Sequence, residues 1–281
     1  MNRAQVVAAI QDRASARDAF DQLESSLESL TEADLSNLLL DCGIIPEMYP
    51  HDSSAEKLWA KYCDILMSKA FSELGINSQV LRARGDSADV FGTTPDYTIV
   101  GDAKAFRLSR TAKNQKDFKI SALDNWRKKN TFACLVSPFY QYPSTNSQIY
   151  AQAKEKNVTL LSYVHLKFLL DHRPSGSLRP LWEVPSPLPA SKSGKEYWAA
   201  IEQEILRLTG QDWGRLADYN QLEIERTKQV GQEGIGYWES VIHQYGSLTR
   251  EEAITLLLKS EKVESKIKTI QETIQRLSLP V

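Results

Sequence analysis

Cysteine is scarce: Cys42, Cys63 and Cys134 are the three in 281 residues, odd in number and far apart. Neither a disulfide framework nor a paired-cysteine zinc site fits that count. Buried thiols in a reducing compartment are the expectation. Histidine is nearly as rare, and His51, His165, His172 and His243 show no HxxxH or HxxE spacing, which excludes a histidine-based metal or Cys-His centre. An excess of either charge is missing too: 34 basic residues against 36 acidic ones leave a formal charge of −2. That argues against a uniformly basic coat, although local clusters survive such an average. No apolar run approaches the roughly 18 residues that span a bilayer. The opening MNRAQVVAAIQDRASARD is interrupted by Gln11, Asp12 and Arg13 and lacks the core of a signal peptide. A soluble cytoplasmic protein with no membrane partner is expected. There is no GxxxxGK[ST] loop, so ATP-driven chemistry is not supported.

What is present is an ordinary globular composition, 42% hydrophobic and 25% charged, which excludes disorder and fibrous repeats. Thr31 followed by Glu32 and Asp34 marks a helix start, with Gly43 as its stop after SNLLLDC. A stronger helix is capped by Ser53 or Ser54, carries Leu58, Tyr62, Ile65 and Leu66 on one face and ends at Gly75. Segments 78–83, 88–92 and 97–106 are short, rich in β-branched and aromatic residues and separated by RGDS and GTTPD, the pattern of a β-meander. A helical candidate at 111–130, a strand at 131–137, a loop, a strand at 158–162 and a helix at 163–170 follow. The order predicts a mixed α/β core over about 54–170 with one crossover helix. Residues 1–53 form a helical N-terminal part. A proline-rich connector, WEVPSPLPASKSG at 182–194, opens onto a helical C-terminal part, the two together filling about 175–281. Within that tail, Thr249 and Glu252 form a capping box. Its apolar surface needs the core or a second subunit to cover it. The six tryptophans are read as core and dimer packing rather than base-stacking platforms.

The chemistry lies between Asp89 and Lys104. Alternation along a strand puts Asp102 and Lys104 of the D-A-K triplet on one face. If the two strands pair, Asp89 approaches Asp102 from its neighbour. Two carboxylates suit a hard divalent cation such as Mg²⁺, and an ammonium suits a phosphate oxygen or the orientation of an attacking water. Phosphodiester hydrolysis needs both. A D-x-K triplet alone is equally a solvated salt bridge. The weight comes from the acid on the preceding strand and from the basic run that follows: Lys104, Arg107, Arg110, Lys113, Lys116, Lys119, Arg127, Lys128 and Lys129 against Asp117 and Asp124 only. That is a phosphate-binding face. Asn114, Gln115, Lys116 and Asp117 sit among those basics, with side chains of the kinds that read base edges. Glu56, on the preceding helix, fits either a metal ligand or a first-turn acid complementing the helix dipole. Pro95-Asp96 reads as a turn, with Asp96 a lesser ligand candidate.

Helix, three strands, helix, strand with an acid before D-x-K resembles the PD-(D/E)xK nuclease fold. More narrowly, GDAKAFRLSRTAKNQKDFK (101–119) is similar to the corresponding segment of the HindIII-type restriction endonucleases, as are GIIPE (43–47), SSAEKLWAK (53–61), SPFYQYPSTNSQI (137–149) and LTREEAITLLLK (248–259). The resemblance covers most of the chain and is weakest over 175–235. It implies a single endonuclease domain over 1–281: a restriction-endonuclease-like core, a mixed central sheet flanked by helices, with helical elaborations at both ends. It further implies a homodimeric Type II enzyme in a bacterial cytoplasm, encoded beside a DNA methyltransferase. Such an enzyme uses Mg²⁺, with Mn²⁺ able to substitute, and cuts double-stranded DNA at AAGCTT after the first A to leave four-base 5′ extensions. By position, Asp89 and Asp102 match the metal-binding acids, with the Ala103 backbone carbonyl as a further ligand, and Lys104 matches the catalytic lysine. Asn114, Lys116, Asp117 and Lys119 match the recognition segment, with Arg110 and Lys113 as further DNA contacts. One position departs: Arg82 stands where the family carries an acid. Two rivals are a structure-specific repair or junction nuclease of the same fold and a DNA-binding protein with a disused site. Asn114 to Asp117 favour sequence reading over the first, and the intact acid and D-x-K set speaks against the second.

Overall fold

The computed structural model describes residues 1–82, 87–110 and 115–277, and for 115, 116 and 272–277 the backbone alone. Three short helices, α1 (Arg3–Arg13), α2 (Ala19–Glu28) and α3 (Glu32–Leu38), precede α4 (Ser54–Glu73). Thr31 caps α3 and Ser53 caps α4, their hydroxyls accepting from the N–H groups of Asp34 at 3.1 Å and Glu56 at 3.2 Å. Each satisfies one of the donors that a helix start leaves unpaired. Leu58, Trp59, Tyr62, Ile65, Leu66 and Phe71 of α4 are buried, and Gly75 follows the helix at φ 83°, where a Cβ would be strained. Gly43, expected to stop a helix, has another role. α3 already ends at Leu38, and a Cβ at Gly43 would meet Pro138 at 2.5 Å and Tyr163 at 2.6 Å. Close chain approach, not helix termination, requires this glycine.

Five strands form one sheet in chain order: β1 (Asn77–Val80), β2 (Val90–Thr93), β3 (Thr98–Ala103), β4 (Phe132–Val136) and β5 (Val158–Leu161). The first three are an antiparallel meander, and β3, β4 and β5 run parallel. All residues of β4 and β5 are buried, as strands covered on both faces must be. α4 packs across β1, β2 and β3. The crossover from β3 to β4 contains α5 (Gln115–Phe118) and α6 (Ile120–Arg127); α7 (Gln148–Glu155) lies between β4 and β5, and α8 (Tyr163–Asp171) follows β5.

The structure differs from the sequence reading in two places. The candidate helix at 111–130 is broken where Lys119 takes φ 49°, and this left-handed residue separates α5 from α6. The expected loop before β5 contains α7. Prolines at 138 and 143 obscure its start, yet Ser147 caps it and Ile149, Tyr150 and Ala153 bury its inner face. The mixed sheet therefore has helical segments in both parallel crossovers.

The chain continues through α9 (Arg179–Glu183), which takes the first residues of the proline-rich connector, α10 (Gly194–Thr209), α11 (Trp213–Gly246), α12 (Arg250–Ser260) and α13 (Val263–Leu277). It divides into two compact units, Met1–Gly234 and Ile235–Val281. The first holds the sheet and a continuous core in which Trp59, Trp182 and Tyr197 are fully buried. In the second, Thr249 and Glu252 form the expected capping box, but α12 buries no residue. Leu257, at 62% exposure, and Ile270, at 59%, are typical of its apolar side chains.

Candidate active site

β3 is the strand from which the site is built. The register pairs Val90 with Gly101, and the ladder extends one step further, where the Asp89 N–H donates to the Gly101 carbonyl at 3.1 Å. Asp89 therefore stands beside Asp102. On the other side of β3, the Lys104 N–H donates to the Val136 carbonyl at 2.8 Å, so the parallel ladder fixes the backbone of Lys104 one residue beyond the strand. Its ammonium is ion-paired with Asp102 Oδ2. The segment just past the triplet is fastened as well. Phe106 and Gly43–Ile45 exchange backbone hydrogen bonds of 2.9 and 3.1 Å, and Glu47 accepts from the N–H and hydroxyl of Ser109.

A third carboxylate completes the cluster. Asp64, in the middle of α4, joins Asp89 and Asp102, with one carboxylate oxygen from each lying within 4.8 Å of the others. Asp64 and Asp102 are almost fully buried, whereas a third of the Asp89 side chain remains exposed. Lys61, one turn earlier on α4, places its ammonium 3.1 Å from Asp64 Oδ2 and in contact with Asp89 Oδ1. Burial, reinforced by the Asp89 carboxylate, pushes Asp64 up to about pKa 8 despite Lys61. Burial raises Asp102 too, opposed by Lys104 and, from farther off, by Lys119. Burial works against the Lys61 ammonium, but Asp64 and Asp89 more than offset it and raise its pKa. Acids crowded in a low-dielectric setting with too few counter-charges are what a missing cation would relieve.

One oxygen bears on that fit. Asp64 Oδ1 is buried and has no hydrogen-bond partner among the described residues, whereas Asp102 Oδ2 is ion-paired with Lys104. Unsatisfied buried carboxylate oxygens cost free energy unless a ligand reaches them. The all-oxygen donor set matches a hard divalent ion such as Mg²⁺ rather than a soft one.

The other candidate residues fall in different places. Glu56 is not part of this cluster: it precedes Asp64 by eight residues, about 12 Å along a helix axis. Its carboxylate accepts from the Arg107 guanidinium at 2.8 Å and from the Asp52 N–H, which hold its pKa down against the cost of burial. Arg82 pairs with Asp21 at 2.7 Å and Glu24 at 2.8 Å. Asp96 lies in the exposed β2–β3 turn, at the end of β3 opposite Asp102. Asp117 is ion-paired with Arg110, whose guanidinium also stands 5.1 Å from the Phe106 ring centre. Lys119 is exposed where α6 begins. Lys113 and Asn114 lie outside the described residues, and Lys116 is described only as backbone within α5. The basic run is not an undivided phosphate face, since Arg107, Arg110 and Arg127 each hold a carboxylate of this chain. Sequence reasoning missed Asp64 and Lys61. The available signal was an acid inside the otherwise apolar stretch YCDILM of α4, where solvent cannot reach it.

Comparison with known proteins agrees with this geometry. The model of the HindIII restriction endonuclease family matches residues 4–274. The Type II restriction enzyme HindIII of Haemophilus influenzae is 37% identical over 269 residues, covering 92% of this chain and 90% of that enzyme. A match of this extent, over a mixed five-stranded sheet that presents D-x-K beside an acid, shows that the chain belongs to the HindIII restriction endonuclease family and is a Type II site-specific deoxyribonuclease.

Proposed function

We propose that the enzyme cleaves double-stranded DNA at AAGCTT after the first A, with Mg²⁺ as its cofactor and Mn²⁺ able to substitute, and that it does so as a homodimer. The observation carrying the active-site assignment is the convergence of Asp64, Asp89 and Asp102 with Lys104 at the end of β3. Asp89 and Asp102, with Asp64 behind them and the Ala103 carbonyl beside them, are the groups that would hold the ion. When bound, Mg²⁺ neutralises the scissile phosphate and lowers the pKa of a coordinated water. Lys104, already facing Asp102, contributes a fixed positive charge to the phosphate and orients the attacking water. That charge meets the negative charge which grows on the phosphate oxygens in the transition state. Asn114, Lys116, Asp117 and Lys119 are assigned to base reading, and Arg110 and Lys113 to the backbone. Pairing with Arg110 holds the Asp117 carboxylate in place, and a carboxylate is an acceptor suited to a cytosine amino group.

Two copies are needed on symmetry grounds. A segment as short as 114–119 inspects about three base pairs in the major groove. Six base pairs of palindrome then ask for two copies about a two-fold axis, which also provides one active site per strand. The exposed Ile254, Leu257, Ile267 and Ile270 of the second unit supply surface for a second copy to cover. The assignment also places the protein in a bacterial cytoplasm, with a DNA methyltransferase encoded nearby to protect the host's own sites. The test is cleavage of duplexes carrying AAGCTT and each single-base variant, with solution mass measured on DNA. Staggered cutting of AAGCTT alone by a complex of two chains is expected. A monomer on the specific site, or equal cutting of a variant, overturns the reading.

A further inference from the structure

We propose that Lys61 is a built-in counter-ion that makes divalent-metal binding conditional on bound DNA; this rests on the metal-site reading above. Its ammonium lies between Asp64 Oδ2, 3.1 Å away, and Asp89 Oδ1, with which it is in contact, and so takes up oxygens that the metal would need. Lys104 answers Asp102 separately. In the ion-binding form, with all three carboxylates ionised, they face two ammonium groups and leave the pocket one negative charge. A divalent ion arriving alone turns that into an excess positive charge in a largely buried setting. An ion arriving with a phosphodiester leaves the pocket neutral. Lys61 therefore opposes the metal without substrate and tolerates it with substrate, and by linkage the metal strengthens DNA binding to the same degree.

Lys61 is also the movable lysine of the two. Its side chain is 37% exposed against 20% for Lys104, and it comes from α4 rather than from the end of a paired strand. The arrangement is more than a helix-surface ion pair, because the same ammonium also reaches Asp89, 28 residues away on another element. A positioning function that acts through the acids, rather than on the substrate, follows from that geometry.

The experiment titrates Mn²⁺ into DNA-free protein and follows free Mn²⁺ by electron paramagnetic resonance. The variants are Lys61→Met, Lys61→Arg, Asp102→Asn and the Lys61→Met/Asp102→Asn double variant, with thermal unfolding confirming that each is folded. Lys61→Met should bind Mn²⁺ at least about fivefold more tightly than wild type. Lys61→Arg, which keeps the charge, should stay near wild type, and Asp102→Asn should abolish the gain. If Asp102→Asn weakens binding while Lys61→Met binds no better than wild type, the counter-ion proposal fails and the metal site stands. If Mn²⁺ binding ignores Asp102→Asn in both backgrounds, the metal-site reading fails and takes this proposal with it.

Discussion

Replacing Asp64 with Asn should make the protein more stable and the enzyme nearly inactive. The Asp64 carboxyl, 4% exposed, titrates near pH 8 in the folded chain against an ordinary value of 3.8. From about pH 4 to pH 8 the unfolded chain has lost this proton and the folded chain has kept it. The folded state therefore binds more protons, and stability falls across that window and levels off above it. A shift of about four pH units at about 1.4 kcal/mol each corresponds to roughly 6 kcal/mol at pH 8.5. Asn is nearly isosteric and carries no charge to bury. It loses the ion pair with Lys61, so a net gain of about 2–4 kcal/mol at pH 8.5 is expected, vanishing below pH 4. The assay is urea unfolding at both pH values, with and without Ca²⁺. On an AAGCTT duplex, Ca²⁺ should stabilise wild type further, because it binds only the folded site, and should barely affect the variant. Cleavage should fall by at least a hundredfold. An Asp64→Asn protein that is less stable than wild type at pH 8.5, or that keeps both its Ca²⁺ response and its activity, would refute the placement of Asp64 in a metal-binding cluster.

Replacing Lys104 with Ala should lower cleavage by several powers of ten while changing DNA affinity by less than about tenfold, as gel shift beside single-turnover kinetics will report, since one charge among many phosphate contacts is lost. Ca²⁺ in place of Mg²⁺ should support specific binding without cutting, because it accepts looser geometry and acidifies bound water less; efficient cutting in Ca²⁺, or in EDTA, goes against the mechanism. Glu223, on α11 within the first unit, is 8% exposed, accepts from the Phe139 N–H at 3.4 Å and is pushed by burial to about pKa 7 from 4.5. Its folded-state proton is held longer than the unfolded one, so stability drops between pH 4.5 and 7; Glu223→Gln should gain up to about 3 kcal/mol at pH 8 and nothing below pH 4.5, measured by thermal unfolding.

The parts of this protein that could be read in advance are those whose determinants are close in sequence. Strand alternation put Asp102 beside Lys104, a meander put Asp89 beside Asp102, and hydroxyl caps placed the starts of α3 and α4. Asp64 was hidden because its place depends on how α4 packs across the sheet, which no local pattern encodes. Glu56 drew attention as a first-turn acid of that helix, but the helical rise carries it away from β3 and gives it to Arg107. The break at Lys119 and the helix α7 escaped for a related reason: tertiary packing of Phe118, Ile149 and Tyr150 outweighs the local signals.

The central claim is that Asp64, Asp89 and Asp102 hold the catalytic ion. It is tested most directly by crystals of the enzyme on an AAGCTT duplex soaked in Mn²⁺, with diffraction recorded at the manganese absorption edge. An anomalous peak is expected among the carboxylates of Asp64, Asp89 and Asp102, roughly 2 Å from its ligand oxygens, beside the scissile phosphate and with Lys61 displaced. A peak elsewhere in the protein, or no peak among the three aspartates in crystals whose DNA has been cut, would contradict it.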